Sequence, residues 1–173
     1  MSHVPSREGA IARFEESRAG FRRSVELAPP ESLHHLPAGD DYALGGLVYH
    51  VNAVLEHYRI VLQTMIDGGF TEVAPVDPPG LFEEANARAR AGLGPEELAH
   101  QLAVMDERHG SVLSQVARVP EADWGRQAPV RYQPGDEPLP TSCDNVLDWL
   151  SGHYYEHVPH LEQLLESWRA AQR

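Results

Sequence analysis

His153 and His157 fall four residues apart in Leu150-Ser-Gly-His-Tyr-Tyr-Glu-His-Val-Pro-His-Leu161, a stretch with three histidines in eight residues. Residues four apart on an α-helix share a face, so both imidazoles can reach one divalent ion. The apolar spacing says that the stretch is helical. Val146, Leu150, His153, His157, Leu161, Leu164 and Trp168 follow at steps of four, three, four, four, three and four, the seam of one helix face. Two imidazoles in a packed seam are costly unless something satisfies them. A metal would do so. Hydrogen bonds from Tyr, Asp or backbone groups would also do so, and spacing alone leaves both readings open.

Other histidines stand in related places. His50 lies at the edge of an earlier apolar stripe, three residues after Leu47 and four before Val54. Three protein ligands with open positions for water is how catalytic metal sites are built. His109 falls in the seam of a further helix, as a fourth ligand, a general base near the metal, or a hydrogen-bonded core residue. His57 and His160 lie further along the helices of His50 and of the pair, in reach of outer-shell roles. His3, His34, His35 and His100 lie in termini, loops or polar faces and receive no role. Glu156 is off the face of the pair, and Tyr154 follows His153 where a zinc protease would need Glu. Cys143 opens the last helix, where the N-terminus would lower its pKa, and is a minor candidate nucleophile. Trp124, Trp149 and Trp168 read as packing residues. Tyr154 and Tyr155 flank the pair, and one of them is expected to face a pocket.

The elements that must position these residues are four long amphipathic helices. The first spans Ser6 to Ala28, with Ser6 as its cap and Pro29-Pro30 as its stop. Asp40 or Asp41 caps a second, from Tyr42 to Asp67, which ends at Gly68-Gly69. Gly45-Gly46 near its start would let a neighbouring backbone approach. A short helix, Leu81 to Ala91, precedes a third long one from Pro95 to Val119. Residues 120–140, rich in proline, form a structured loop or a short hairpin. Thr141 with Asp144 resembles a capping box for the last helix, Ser142 to Ala171, which Pro159 should kink. The fold class is all-α: a four-helix bundle with a short extra helix and a long loop before the last helix, in one domain over residues 1–173.

Composition narrows the partners. The net charge is −12, all 14 basic residues are Arg, and no basic cluster exists to bind nucleic acid or anionic membranes. One cysteine excludes an internal disulfide and a Cys-rich zinc site, and a free thiol fits a cytoplasmic protein. No apolar leader or transmembrane run is present in the sequence.

Leu47-Val-Tyr-His50-Val and Leu150-Ser-Gly-His153-Tyr-Tyr-Glu-His157, in this order and spacing, resemble the DinB/YfiT-like superfamily of metal-dependent enzymes. The resemblance covers residues 6–170. It implies an up-up-down-down bundle and a divalent metal (zinc, nickel, iron or manganese) held by His50, His153 and His157, with water in the open positions. It also implies a homodimer. Activities in that family include hydrolases and isomerases or transferases that use a low-molecular-weight thiol, mycothiol or bacillithiol. Two departures stand out: Pro159 follows the pair, and His160 stands where Gln is frequent.

The function expected is therefore a metal-dependent enzyme acting on a small-molecule substrate, either a hydrolase or a thiol-dependent transferase or isomerase. His109 would be its proton shuttle. Arg126 and Arg131 would meet the carboxylates of a thiol cosubstrate. The alternative is a non-catalytic stress-response or ligand-binding bundle, with no metal or with a structural one that His109 would close.

Overall fold

A computed structural model describes residues 6–173, so His3 lies outside the described residues. Helix α1 is Arg7–Glu26, and its Ser6 cap accepts a hydrogen bond from the Gly9 N–H at 3.1 Å. Phe14, Phe21 and Val25 form its buried stripe.

Helix α2 runs Leu47–Asp67 and starts later than Tyr42. Close packing explains the difference. The N–H groups of Ala43, Leu44 and Gly45 donate to the carbonyls of Ala89, His35 and Leu33 at 2.8, 2.9 and 2.9 Å instead of entering a helix. A Cβ on Gly46 would lie 2.1 Å from the Ala89 carbonyl oxygen, so this approach requires glycine. Asp40 is not a helix cap; it accepts the Tyr42 N–H at 3.0 Å in a turn.

Helix α3, Leu81–Ala91, and helix α4, Pro95–Ala117, match their expected places, with Pro95 in the first turn of α4. Strands β1, Ala128–Val130, and β2, Leu139–Thr141, form an antiparallel hairpin over residues expected as loop or hairpin. Val73 bridges to Val130 and ties the α2–α3 connection to it. Helix α5 spans Cys143–Ala171 and continues through Pro159. Its capping box is Ser142 with Asn145, one residue later than Thr141 with Asp144.

The architecture is a four-helix bundle of α1, α2, α4 and α5. Phe14, Phe21, Leu55, Leu62, Met105, Leu147 and Leu150, drawn from all four, are at most 1% exposed and share one core. Helix α1 packs on α5 and α2 on α4, while α2 also touches α3 and α5. The α2–α5 contact sets the site, because it brings the start of one helix against the middle of the other. Among the described residues, no helix is long and apolar enough to cross a membrane.

Candidate metal centre

His50 projects from the first turn of α2, and His153 and His157 from successive turns of α5. One ligand nitrogen from each ring lies within 4.8 Å of the others. The planes of His153 and His157 stand at 89° with centroids 4.5 Å apart, and His50 meets His157 at 85° and 5.2 Å. Edge-on rings of this kind point nitrogens at a shared space rather than stacking faces.

The residues fit a metal ion. Nε2 of His153 and Nε2 of His157 are buried without a hydrogen-bond partner among the described residues, a state that costs about 1–3 kcal/mol per group. Burial lowers the pKa of His50. Burial, with His50 nearby, pushes His153 down to about 4, and burial with its three histidine neighbours pushes His157 down to about 3. All three imidazoles are thus neutral near pH 7, with lone pairs available.

The outward nitrogens meet other groups. Nδ1 of His50 is 3.4 Å from the Tyr42 hydroxyl. Nδ1 of His157 is 3.4 Å from Nδ1 of His160, whose Nε2 is 3.1 Å from Asp40 Oδ2. Burial alone would raise the Asp40 carboxyl, but the Tyr42 N–H and His160 lower it on balance.

A cavity of about 570 Å³ opens beside His153, between α2, α3 and α5. His153 lines it together with His57, Tyr58, Phe82, Trp149 and Glu156. Both Asp77 carboxylate oxygens lie 2.9 Å from Nδ1 of His57. Asp77 comes from the α2–α3 connection, so a loop residue outside the cavity lining orients this ring.

Other expected residues lie elsewhere. His109 is 2% exposed and stacks on Phe14 at 3.8 Å. Its Nε2 is 3.0 Å from Glu15 and its Nδ1 is 3.4 Å from the Tyr154 hydroxyl, so both nitrogens are engaged outside the three-histidine group. Burial lowers its pKa to about 4. Tyr154 is buried against Phe14 and Phe21, Tyr155 is exposed, and neither lines the cavity. Cys143 is buried, and burial outweighs the helix terminus, raising the thiol to about 11. Arg126 pairs with Asp123 and lies over Phe70, while Arg131 pairs with Glu72 at 2.8 Å; neither lines the cavity.

A family model described as the DinB superfamily matches residues 13–164. The chain belongs to the DinB superfamily. No curated protein matches it significantly. Among solved structures it is similar to YfiT from Bacillus subtilis, with a TM-score of 0.68 and 16% identity over 97% of this chain and 92% of that one. That protein is described as a probable metal-dependent hydrolase with an unusual four-helix bundle topology.

Sequence reasoning missed Asp40 and Asp77 as partners of histidines. Asp40 read equally well as a helix cap, and Asp77 sits in a proline-rich loop with no periodicity. Only their distances to His160 and His57 show what they touch.

Proposed function

We propose that this DinB chain is a metal-dependent hydrolase acting on a small molecule bound in the cavity beside His153. The observation that carries the reading is that His153 belongs to the three-histidine group and also lines the cavity. Structural sites are closed by a fourth protein ligand, whereas a three-ligand site that reaches a cavity through one of its ligands leaves room for substrate. His109, the residue that could close the site, is held by Glu15 and Tyr154 instead.

In this reading His50, His153 and His157 hold a divalent ion. Such an ion supplies a Lewis acid for a substrate carbonyl and a lowered pKa for water. Tyr58, Phe82 and Trp149 wall the cavity and take the apolar part of the substrate. His57, with Nδ1 fixed by Asp77, presents Nε2 for proton transfer to or from the substrate. This position suits proton transfer better than His109, which lies outside the cavity.

Hydrolysis is favoured over transfer to a carboxylate-bearing thiol. The charged groups on the lining include Asp148 and Glu156, while Arg126 and Arg131 are engaged elsewhere. The description of YfiT as a probable metal-dependent hydrolase supports the same choice. The homodimer and the cytoplasmic setting expected above belong to this proposal; light scattering of the purified protein reads the first.

The test is a panel of ester and amide substrates with protein purified without a His tag. Turnover should require a divalent ion and should vanish in His153→Ala. Turnover that survives both chelation and this substitution would overturn the reading.

A further inference from the structure

We propose that Asp40 and His160 form an outer chain that holds His157 in the tautomer able to bind a metal ion. The inference rests on the metal reading above for its purpose. Its geometry stands in the metal-free chain.

The polarity of the chain follows from its far end. Asp40 Oδ1 already accepts the Tyr42 N–H at 3.0 Å, and Oδ2 faces His160 Nε2 at 3.1 Å. A carboxylate only accepts, so Nε2 of His160 must carry the proton. A neutral His160 then has its lone pair on Nδ1. That lone pair faces Nδ1 of His157 at 3.4 Å, which must therefore donate. A neutral His157 with its proton on Nδ1 has its lone pair on Nε2, the buried atom with no partner among the described residues. The opposite order would set a lone pair of His160 against the carboxylate and bury an unpartnered N–H of His157. Both penalties point the same way.

Tyr42 does not impose such an order on His50. Its hydroxyl, 3.4 Å from Nδ1, can donate or accept. Only the route through His160 ends on a group with one hydrogen-bonding sense. Residues 40–42 thus reach two of the three histidines from one turn, but Asp40 alone sets a tautomer. Second-shell partners of this kind orient the ring and raise ligand basicity. Asp40 and His160 are positioning residues; neither touches the ion or the substrate.

The full chain, free of metal, is labelled with ¹⁵N, and long-range proton–nitrogen spectra assign the tautomer of each histidine near pH 7.5. Nδ1–H is expected for His157 and Nε2–H for His160. Zinc affinity is then measured by chelator competition for the wild type, Asp40→Ala, His160→Leu and His160→Gln, with circular dichroism checking that each folds. Asp40→Ala and His160→Leu should bind zinc about 10–100-fold more weakly. His160→Gln should stay within a few-fold of wild type, because its carbonyl accepts from His157 while its amide donates to Asp40. Finding His157 as Nε2–H in the wild type would overturn the proposal without any variant. Unchanged zinc affinity in a folded Asp40→Ala would also overturn it. If the wild type binds no zinc yet His157 keeps its Nδ1 proton, the metal reading fails and the chain is upheld.

Discussion

His153 and His157 stand one helical turn apart on α5 with ring planes at 89°, and each buries an Nε2 that has no hydrogen-bond partner among the described residues. Two buried, unpartnered ring nitrogens are a local cost that a cation bound to their lone pairs would remove. Metal addition should therefore stabilise the fold. At free zinc about 100 times its Kd the linkage gain is about 2.7 kcal/mol, and the melting temperature of a chain this size should rise by roughly 5–10 °C. Differential scanning fluorimetry with and without zinc reads it, and an unchanged midpoint in the wild type would count against a metal site.

His109 supplies a pH dependence separate from the site. Burial lowers its pKa from 6.5 to about 4. The unfolded chain takes up this proton below pH 6.5, while the folded chain resists it until about pH 4. The stability it contributes is complete above pH 6.5 and is lost as pH falls toward 4. Between pH 6.5 and 5 this one group removes about 2 kcal/mol, adding to the losses from the other buried histidines of the metal-free protein. Urea unfolding across this range should show the fall, and His109→Gln should flatten it while leaving zinc affinity unchanged. Lost zinc affinity in that variant would place His109 in the metal centre after all.

Most of the fold was legible because it rests on periodicity. The seams that run through Phe14 and Phe21, Leu47 and Val51, Leu98 and Leu102, and Leu150 and Leu161 repeat at helical spacing, and the same seams put His50, His153 and His157 on inward faces. What the periodicity could not show was tertiary. The start of α2 depends on Gly46 meeting the Ala89 carbonyl, a contact between segments far apart in the chain. The partners of His57 and His160, Asp77 and Asp40, come from loops with no repeating pattern. His109 shared the seam signal of the candidate ligands, but its helix faces Glu15 and Phe14 of α1, and only packing separates it from the site.

The close approach at Gly46 makes its own prediction. A methyl group there would meet a backbone carbonyl at 2.1 Å, and backbone cannot swing aside as a long side chain can. Gly46→Ala should destabilise the fold by about 3 kcal/mol, the upper end for overpacking. Because Gly46 caps the helix that carries His50, zinc affinity should fall with it. A variant as stable as wild type in chemical denaturation would show that α2 and α3 do not meet this closely.

The His57–Asp77 pair should separate chemistry from metal binding. Asp77→Asn keeps the shape of the side chain and removes the charge that orients the ring. Turnover of a hydrolysed substrate should drop by about 10²–10⁴ with zinc content unchanged. Equal turnover in the two proteins would remove His57 from the proton-transfer role.

The central claim is that three histidines hold one ion. The most direct measurement is elemental analysis of the protein purified from its own cells without a tag. A three-histidine centre requires close to one divalent ion per chain, reduced to background in both His50→Ala and His153→Ala with the helical circular dichroism retained. A wild-type protein with no stoichiometric ion, and none taken up from added zinc, nickel, iron or manganese, would contradict it.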